Sequence, residues 1–164
     1  MDLKVWRAPP GDRIPNHPHF PVLLYRGVEA AAAGASEVRT IFAKHGWGGS
    51  WVNGVFPFHH FHSTSHEVLA VVAGRATIEL GGPQGRAFQV SVGDVIVLPA
   101  GTGHRRASSD GAFTVVGAYP ADQEDYDLLR PDDPAEVQDA RERIAALSSP
   151  AQDPVGGDGV ALWR

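Results

Sequence analysis

His60, His62 and Glu67 fall within one glycine-bounded stretch, GVFPFHHFHSTSHEVLAVVAG (54–74), and His104 ends a second, GDVIVLPAGTGH (93–104). Three imidazoles and one carboxylate make a donor set for a single divalent metal ion. The chain has no cysteine, so such an ion is held by nitrogen and oxygen, which excludes iron–sulfur clusters and thiolate zinc. Fe, Mn, Ni, Co, Cu and Zn all accept imidazole plus carboxylate, and the residue types do not choose among them.

The donors must share one side of a scaffold. Side chains alternate along a strand, so His60 and His62 would share a face about 7 Å apart, with His59 and Phe61 pointing away. Ser63-Thr64-Ser65 offers a turn, Glu67 opens the next strand, and the Pro99-Ala100-Gly101 turn would bring His104 across. These positions converge only in a compact barrel, so fold and metal site stand or fall together. His66 is a rival for Glu67, because a bulge at the strand start would exchange the two; Glu67 is preferred. His17 and His19 in a proline-rich segment, and His45 at a helix end, read as structural or solvated. Two blander readings compete: an incidental polar run over 59–66, and a closed structural zinc without open positions.

A chain of 164 residues, 43% hydrophobic and 20% charged, is sized for one domain with its own core. Its net charge of −5 and lack of a basic stripe argue against a nucleic-acid partner. No run is apolar enough to span a membrane, and the start lacks a signal-peptide core, so a cytoplasmic protein is expected.

Pro9, Pro10, Pro15, Pro18 and Pro21 deny the donors a central strand needs, so the first 21 residues are expected to form an extended arm over the domain surface. A short strand follows at 21–25. Ser36 is expected to cap a helix carrying Val38, Ile41, Phe42 and His45, ended by Gly46. From Ser50 to Tyr119, short Val/Ile/Phe/Thr-rich runs between glycines predict strands at 50–55, 58–62, 67–73, 75–80, 87–92, 95–98, 104–108 and 112–118. Ala76, Ile78, Leu80, Phe88, Val90 and Val92 should face inward. Asp133 is expected to cap a last helix with Pro134 at its first position and an apolar stripe of Val137, Ala140, Ile144 and Leu147. The reading is all-β: one β-barrel or double-sheet jelly roll. An N-terminal arm and one short helix (1–49) pack on the barrel core (50–119), and a C-terminal helix and tail (120–164) complete the same domain.

The two stretches resemble the paired motifs of the cupin superfamily. G-x5-H-x-H-x4-E-x6-G is matched by Gly54, His60, His62, Glu67 and Gly74; G-x5-P-x-G-x2-H-x3-N is matched by Gly93, Pro99, Gly101 and His104, with Ser108 in place of the last Asn. Trp47 and Trp51, HFHSTSHEVL, VVGAYP and DPVGGDG are similar to short, largely uncharacterised bacterial cupins. The resemblance implies a cupin barrel holding one divalent transition metal ion through His60, His62, Glu67 and His104, and a homodimer. Such a metal suits an enzyme acting on a small organic molecule, as an oxygenase or as an isomerase- or epimerase-like Lewis acid. A non-catalytic metal or small-ligand binding module is the alternative. Arg106 and Ser108 share the parity of His104 and are candidates for the cavity wall, Arg106 as a carboxylate anchor. Tyr119 is a further wall candidate, and His66 the one spare candidate for a general base.

Overall fold

The computed structural model describes residues 1–130 and 134–164. Nine strands appear among them: β1 (Asp2–Trp6), β2 (Val22–Arg26), β3 (Trp47–Asn53), β4 (Glu67–Ala73), β5 (Arg75–Leu80), β6 (Arg86–Ser91), β7 (Val95–Leu98), β8 (His104–Ser109) and β9 (Thr114–Pro120). They form a six-stranded sheet in the order β1-β2-β7-β4-β9-β3 and a three-stranded sheet β6-β5-β8, every pairing antiparallel. Helices α1 (Glu29–Ala33) and α2 (Ala35–Lys44) precede β3, and α3 (Pro134–Ala146) follows β9. The result is the jelly-roll barrel that the strand pattern predicts.

Strand parity divides the core into layers. Leu69, Val71, Leu24, Ile96 and Leu98 face the interval between the sheets, where they meet Ile78, Leu80 and Val90. The alternate residues Val68, Ala70, Leu23, Tyr25, Val95 and Val97 face the opposite side and pack against α1, α2 and Trp163. Because the six-stranded sheet is covered on both faces, β2, β4 and β7 are apolar at nearly every position instead of alternating. The three-stranded sheet has one covered face, and β5 alternates cleanly. A third cluster joins Val137, Ala140 and Ile144 of α3 to Phe61, Ala100 and Ile14. Gly101 (φ +87°) makes that junction possible, since a Cβ there would lie 2.7 Å from Ile144 Cδ1.

Several expectations are corrected. The arm begins as an edge strand: Asp2–Trp6 pairs with β2 along its whole length, because the prolines begin only at Pro9 and leave those five amides free to donate. Beyond β1 the segment is stapled by Asn16, whose side chain donates to the carbonyls of Pro9 (2.7 Å) and Gly81 (3.1 Å) and accepts from the Gly103 amide (3.1 Å). Residues 58–62 form no strand, only single bridges from His60 to His104 and from Phe61 to Leu129. The alanine patch is itself a helix, and α2 begins after Gly34 without a side-chain cap, so Ser36 is inside the helix. Val92 is 43% exposed, since β6 stops at Ser91 and the chain turns at Gly93. The expected Asp133 cap lies outside the described residues.

The C-terminal tail is fastened by one carboxylate. Asp153 accepts the Tyr25 hydroxyl (2.5 Å) and the amides of Val155 (3.0 Å), Gly157 (3.2 Å) and Val160 (3.2 Å). The Tyr25 oxygen in turn accepts the Gly159 amide at 2.7 Å. Burial and the bond to Asp153 push the Tyr25 hydroxyl well above its ordinary pKa, so it remains a donor. Asp153→Ala strands these buried donors and is expected to cost about 2–4 kcal/mol in urea unfolding. A loss under about 0.5 kcal/mol, the size of an ordinary surface substitution, would mean that the tail is not held this way.

Candidate metal centre

Three buried imidazoles converge at one end of the interval between the sheets. Single ring nitrogens of His60, His62 and His104 lie within 4.8 Å of one another. His104 opens β8, and reciprocal backbone bonds between His60 and His104 (3.2 and 2.9 Å) fasten the 58–62 segment beside it. Glu67 opens β4 and is buried to 3% exposure. Its Oε1 stands 3.1 Å from His104 Nε2, and its Oε2 stands 3.4 Å from His62 Nε2.

Each ring is oriented by its other nitrogen. Nδ1 of His60 faces the Phe58 carbonyl at 2.9 Å, Nδ1 of His104 faces the Thr102 carbonyl at 3.0 Å, and Nδ1 of His62 faces the Asp127 carbonyl. A carbonyl only accepts, so Nδ1 carries a proton in each ring, and the neutral form of each ring has its lone pair on Nε2. Those lone pairs meet the lone pairs of a carboxylate. The 3.1 Å approach of His104 Nε2 is not hydrogen-bonded, and Glu67 Oε1 is buried without a hydrogen-bond partner. Donors bound side by side to one ion at about 2.1 Å lie about 3 Å apart, so the spacing and the tautomers fit a divalent cation.

Without an ion, the electrostatics divide the rings. Burial, then the nearby His104, lowers the His60 pKa to about 3, so this ring is neutral. Burial would lower His62 too, but the Glu67 charge and contact outweigh it and raise its pKa. Burial would raise Glu67, yet the His62 charge and the His104 and His62 contacts carry it far below the carboxylate range. Tyr119 is pushed far up, first by burial and then by the Glu67 charge and a bond to Tyr126, so it stays protonated.

A cavity of about 580 Å³ opens over the imidazoles, walled by Trp51, Phe56, Phe113, Tyr119, Tyr126 and Leu128. Trp51 Nε1 donates to the Tyr119 hydroxyl at 2.8 Å. It reaches there across Gly117, where a Cβ would lie 2.2 Å from Trp51 Cζ2. The segment after β9 closes the wall: Tyr126 stacks on Tyr119 at 4.0 Å between ring centres. The Asp127 carboxylate accepts the Ser63 amide at 2.7 Å and the Ser63 hydroxyl. Arg143 of α3 donates to that hydroxyl at 2.8 Å.

His60, His62, Glu67 and His104 are thus brought together, and Tyr119 and Arg106 line the same cavity. Ser108 does not. The β5–β8 register slips between Ile78, opposite Arg106, and Thr77, opposite Ser108; this bulge turns Ser108 out to solvent. His59 faces Glu79 at 3.5 Å, outside the cluster. His66 neither replaces Glu67 nor serves as a base: its Nδ1 accepts the Ala100 amide (2.9 Å), its Nε2 donates to Ser148 (3.1 Å), and its ring lies near Trp163. His17 and His45 hold backbone groups, as expected. Trp51, Phe56, Tyr126 and Asp127 were not foreseen as parts of the site. Tyr126 and Asp127 inside the acidic run DQEDYD (122–127) were the available signal.

The family profile for the cupin domain matches residues 51–116. The uncharacterized protein YjlB of Bacillus subtilis is 42% identical over 156 residues, covering 95% of this chain and 92% of that one. The chain belongs to the cupin superfamily. Among solved cupin structures, acireductone dioxygenase from Bacillus anthracis, with cadmium in its active centre, aligns with 54% of this chain at 19% identity and a TM-score of 0.41. A deletion mutant of Bacillus subtilis oxalate decarboxylase aligns with 68% at 19% identity and a TM-score of 0.41. The chain spans 60% of the first and 28% of the second. No helix among the described residues is long and apolar enough to cross a membrane.

Two outcomes follow for this cupin. The raised His62 pKa adds stability to the metal-free protein that is complete below about 6.5 and lost as pH rises through the folded value. A divalent ion needs its ligands deprotonated, so its affinity rises over the same interval. The melting-temperature gain on replacing EDTA with Mn²⁺ should therefore be larger at pH 8 than at pH 5.5; an equal or reversed gain would contradict the ligand set. Asp127→Ala frees the loop whose carbonyl orients His62 and should weaken Mn²⁺ binding about tenfold or more in equilibrium dialysis. Unchanged affinity would show that the wall segment does not orient the ring.

Proposed function

We propose that this cupin is a metal-dependent enzyme acting on a small organic molecule, with His60, His62, Glu67 and His104 holding one divalent transition metal ion. The observation that carries the reading is the shared orientation: three rings pinned through Nδ1 bring ring nitrogens together beside a buried carboxylate. When bound, such an ion supplies Lewis acidity toward a carbonyl or, if iron, a place for dioxygen to react. The donors sit at the floor of an open cavity rather than in a sealed shell, which favours chemistry over a closed structural zinc.

The chain's own residues do the rest. Glu67 contributes the negative charge that retains a dication. Tyr119, kept neutral and accepting from Trp51, holds its own proton beside Glu67 and Tyr126. The aromatic wall excludes water and strengthens every polar contact made inside. The reading includes a homodimer as the working assembly, following the family expectation.

Elemental analysis of protein purified without added metal should find close to one first-row transition ion per chain. His60→Ala or His104→Ala should lower bound metal at least about tenfold, while His59→Ala should retain it. Equal loss from all three variants would overturn the ligand assignment. Turnover of candidate carbonyl and enol substrates with and without oxygen then separates oxygenase from isomerase chemistry. No turnover by fully loaded protein across both conditions would favour a binding module.

A further inference from the structure

The cavity over the imidazoles contains one fixed cation that the metal reading does not use. Arg106 lies two residues beyond His104 on β8, on the order of 7 Å along the strand, and lines the same cavity. Its Nε donates to the Val55 carbonyl at 3.2 Å and its Nη1 to Ser109 Oγ at 3.1 Å. Both acceptors are neutral. Its neighbour on β8, Arg105, instead meets Glu79 at 3.0 Å. Among the described residues no carboxylate lies within 4.0 Å of Arg106. Its Nη2 edge is left to form a planar fork toward an anion.

The surrounding wall has a different character. Glu67 is the acidic residue of the lining, and it belongs to the metal cluster. The rest of the mouth is flat and apolar. Phe56 stacks on Phe58 at 4.9 Å and is 50% exposed, and Leu128 is 40% exposed at the rim. Exposed apolar side chains gathered around a concave opening mark a surface that a ligand covers. A cation at one end, apolar rings between and inward-facing metal donors at the other end define a ligand with matching parts.

We infer that the cavity selects a small monocarboxylate with a flat apolar body, its carboxylate held by Arg106, its ring against the aromatic wall and an oxygen donor directed at the His60–His62–His104 cluster. This names the substrate class of the metal site and rests on that reading. Arg106 is then the specificity-determining residue. An uncharged analogue of the same shape covers the half-exposed guanidinium without supplying a counter-charge, and acetate leaves the apolar wall uncovered.

The test uses the Co²⁺-loaded protein and titration calorimetry with 3-hydroxybenzoate, its neutral isostere 3-hydroxybenzyl alcohol, and acetate. The acid should bind at least about tenfold tighter than either of the others. Arg106→Gln should abolish that preference with Co²⁺ stoichiometry unchanged, and Arg106→Lys should keep the charge preference with reduced affinity. The unchanged stoichiometry shows that the variants are folded. Equal binding of acid and alcohol, or an acid affinity insensitive to Arg106→Gln, would overturn the proposal. So would a failure of all three probes to bind protein that carries one Co²⁺ per chain, and that result would leave the metal reading intact. Wild-type protein that takes up no Co²⁺ overturns both.

Discussion

Four sets of lone pairs pointed at one another inside a protein cannot be left as they are. Glu67 is buried almost completely, and its two oxygens approach the Nε2 atoms of His62 and His104 at 3.4 and 3.1 Å. Backbone carbonyls claim the Nδ1 protons of all three rings. A positive charge must occupy the space between, as a shared proton or as a cation, because burying an uncompensated carboxylate costs several kcal/mol or more. The geometry around this point is therefore the constraint to which the neighbouring elements answer.

The scaffold meets that constraint by layering. Helices α1 and α2 and the Asp153-fastened tail cover the outer face of the six-stranded sheet. With that face sealed, β4, β7 and β9 are packed on both sides and become the rigid floor from which Glu67 projects. The three-stranded sheet closes over the other side and presents His104 from the start of β8. The short segment carrying His60 and His62 has no ladder of its own. It is held by two bridges, to His104 and to Leu129, and by the Asp127 contacts. His60 and His62 therefore depend on the chain that follows β9.

That dependence links the site to its cavity. The same ten-residue stretch, Ala121 to Arg130, sets Tyr126 against Tyr119, hangs Leu128 at the mouth and turns the Asp127 carbonyl toward His62. Arg143 of α3 reaches back to the Ser63 hydroxyl that Asp127 also holds. Cavity wall and His62 orientation are thus fixed by the same residues.

The sequence alone determined the parts that depend on local pattern. Strand periodicity placed β4, β5 and β7, because an apolar run or a clean alternation between glycines leaves the backbone little choice. Motif spacing singled out His60, His62, Glu67 and His104, which the fold places next to one another. Tertiary structure decided what depends on non-local partners. The β1 edge strand exists because β2 offers it a ladder, and the bulge opposite Thr77 and Ile78 turns Ser108 outward while leaving Arg106 in the cavity. His66 stands one residue from Glu67 with the same polar character. Only the Ala100 amide, the Ser148 carbonyl and the ring of Trp163, all distant in sequence, show that it belongs to the opposite face.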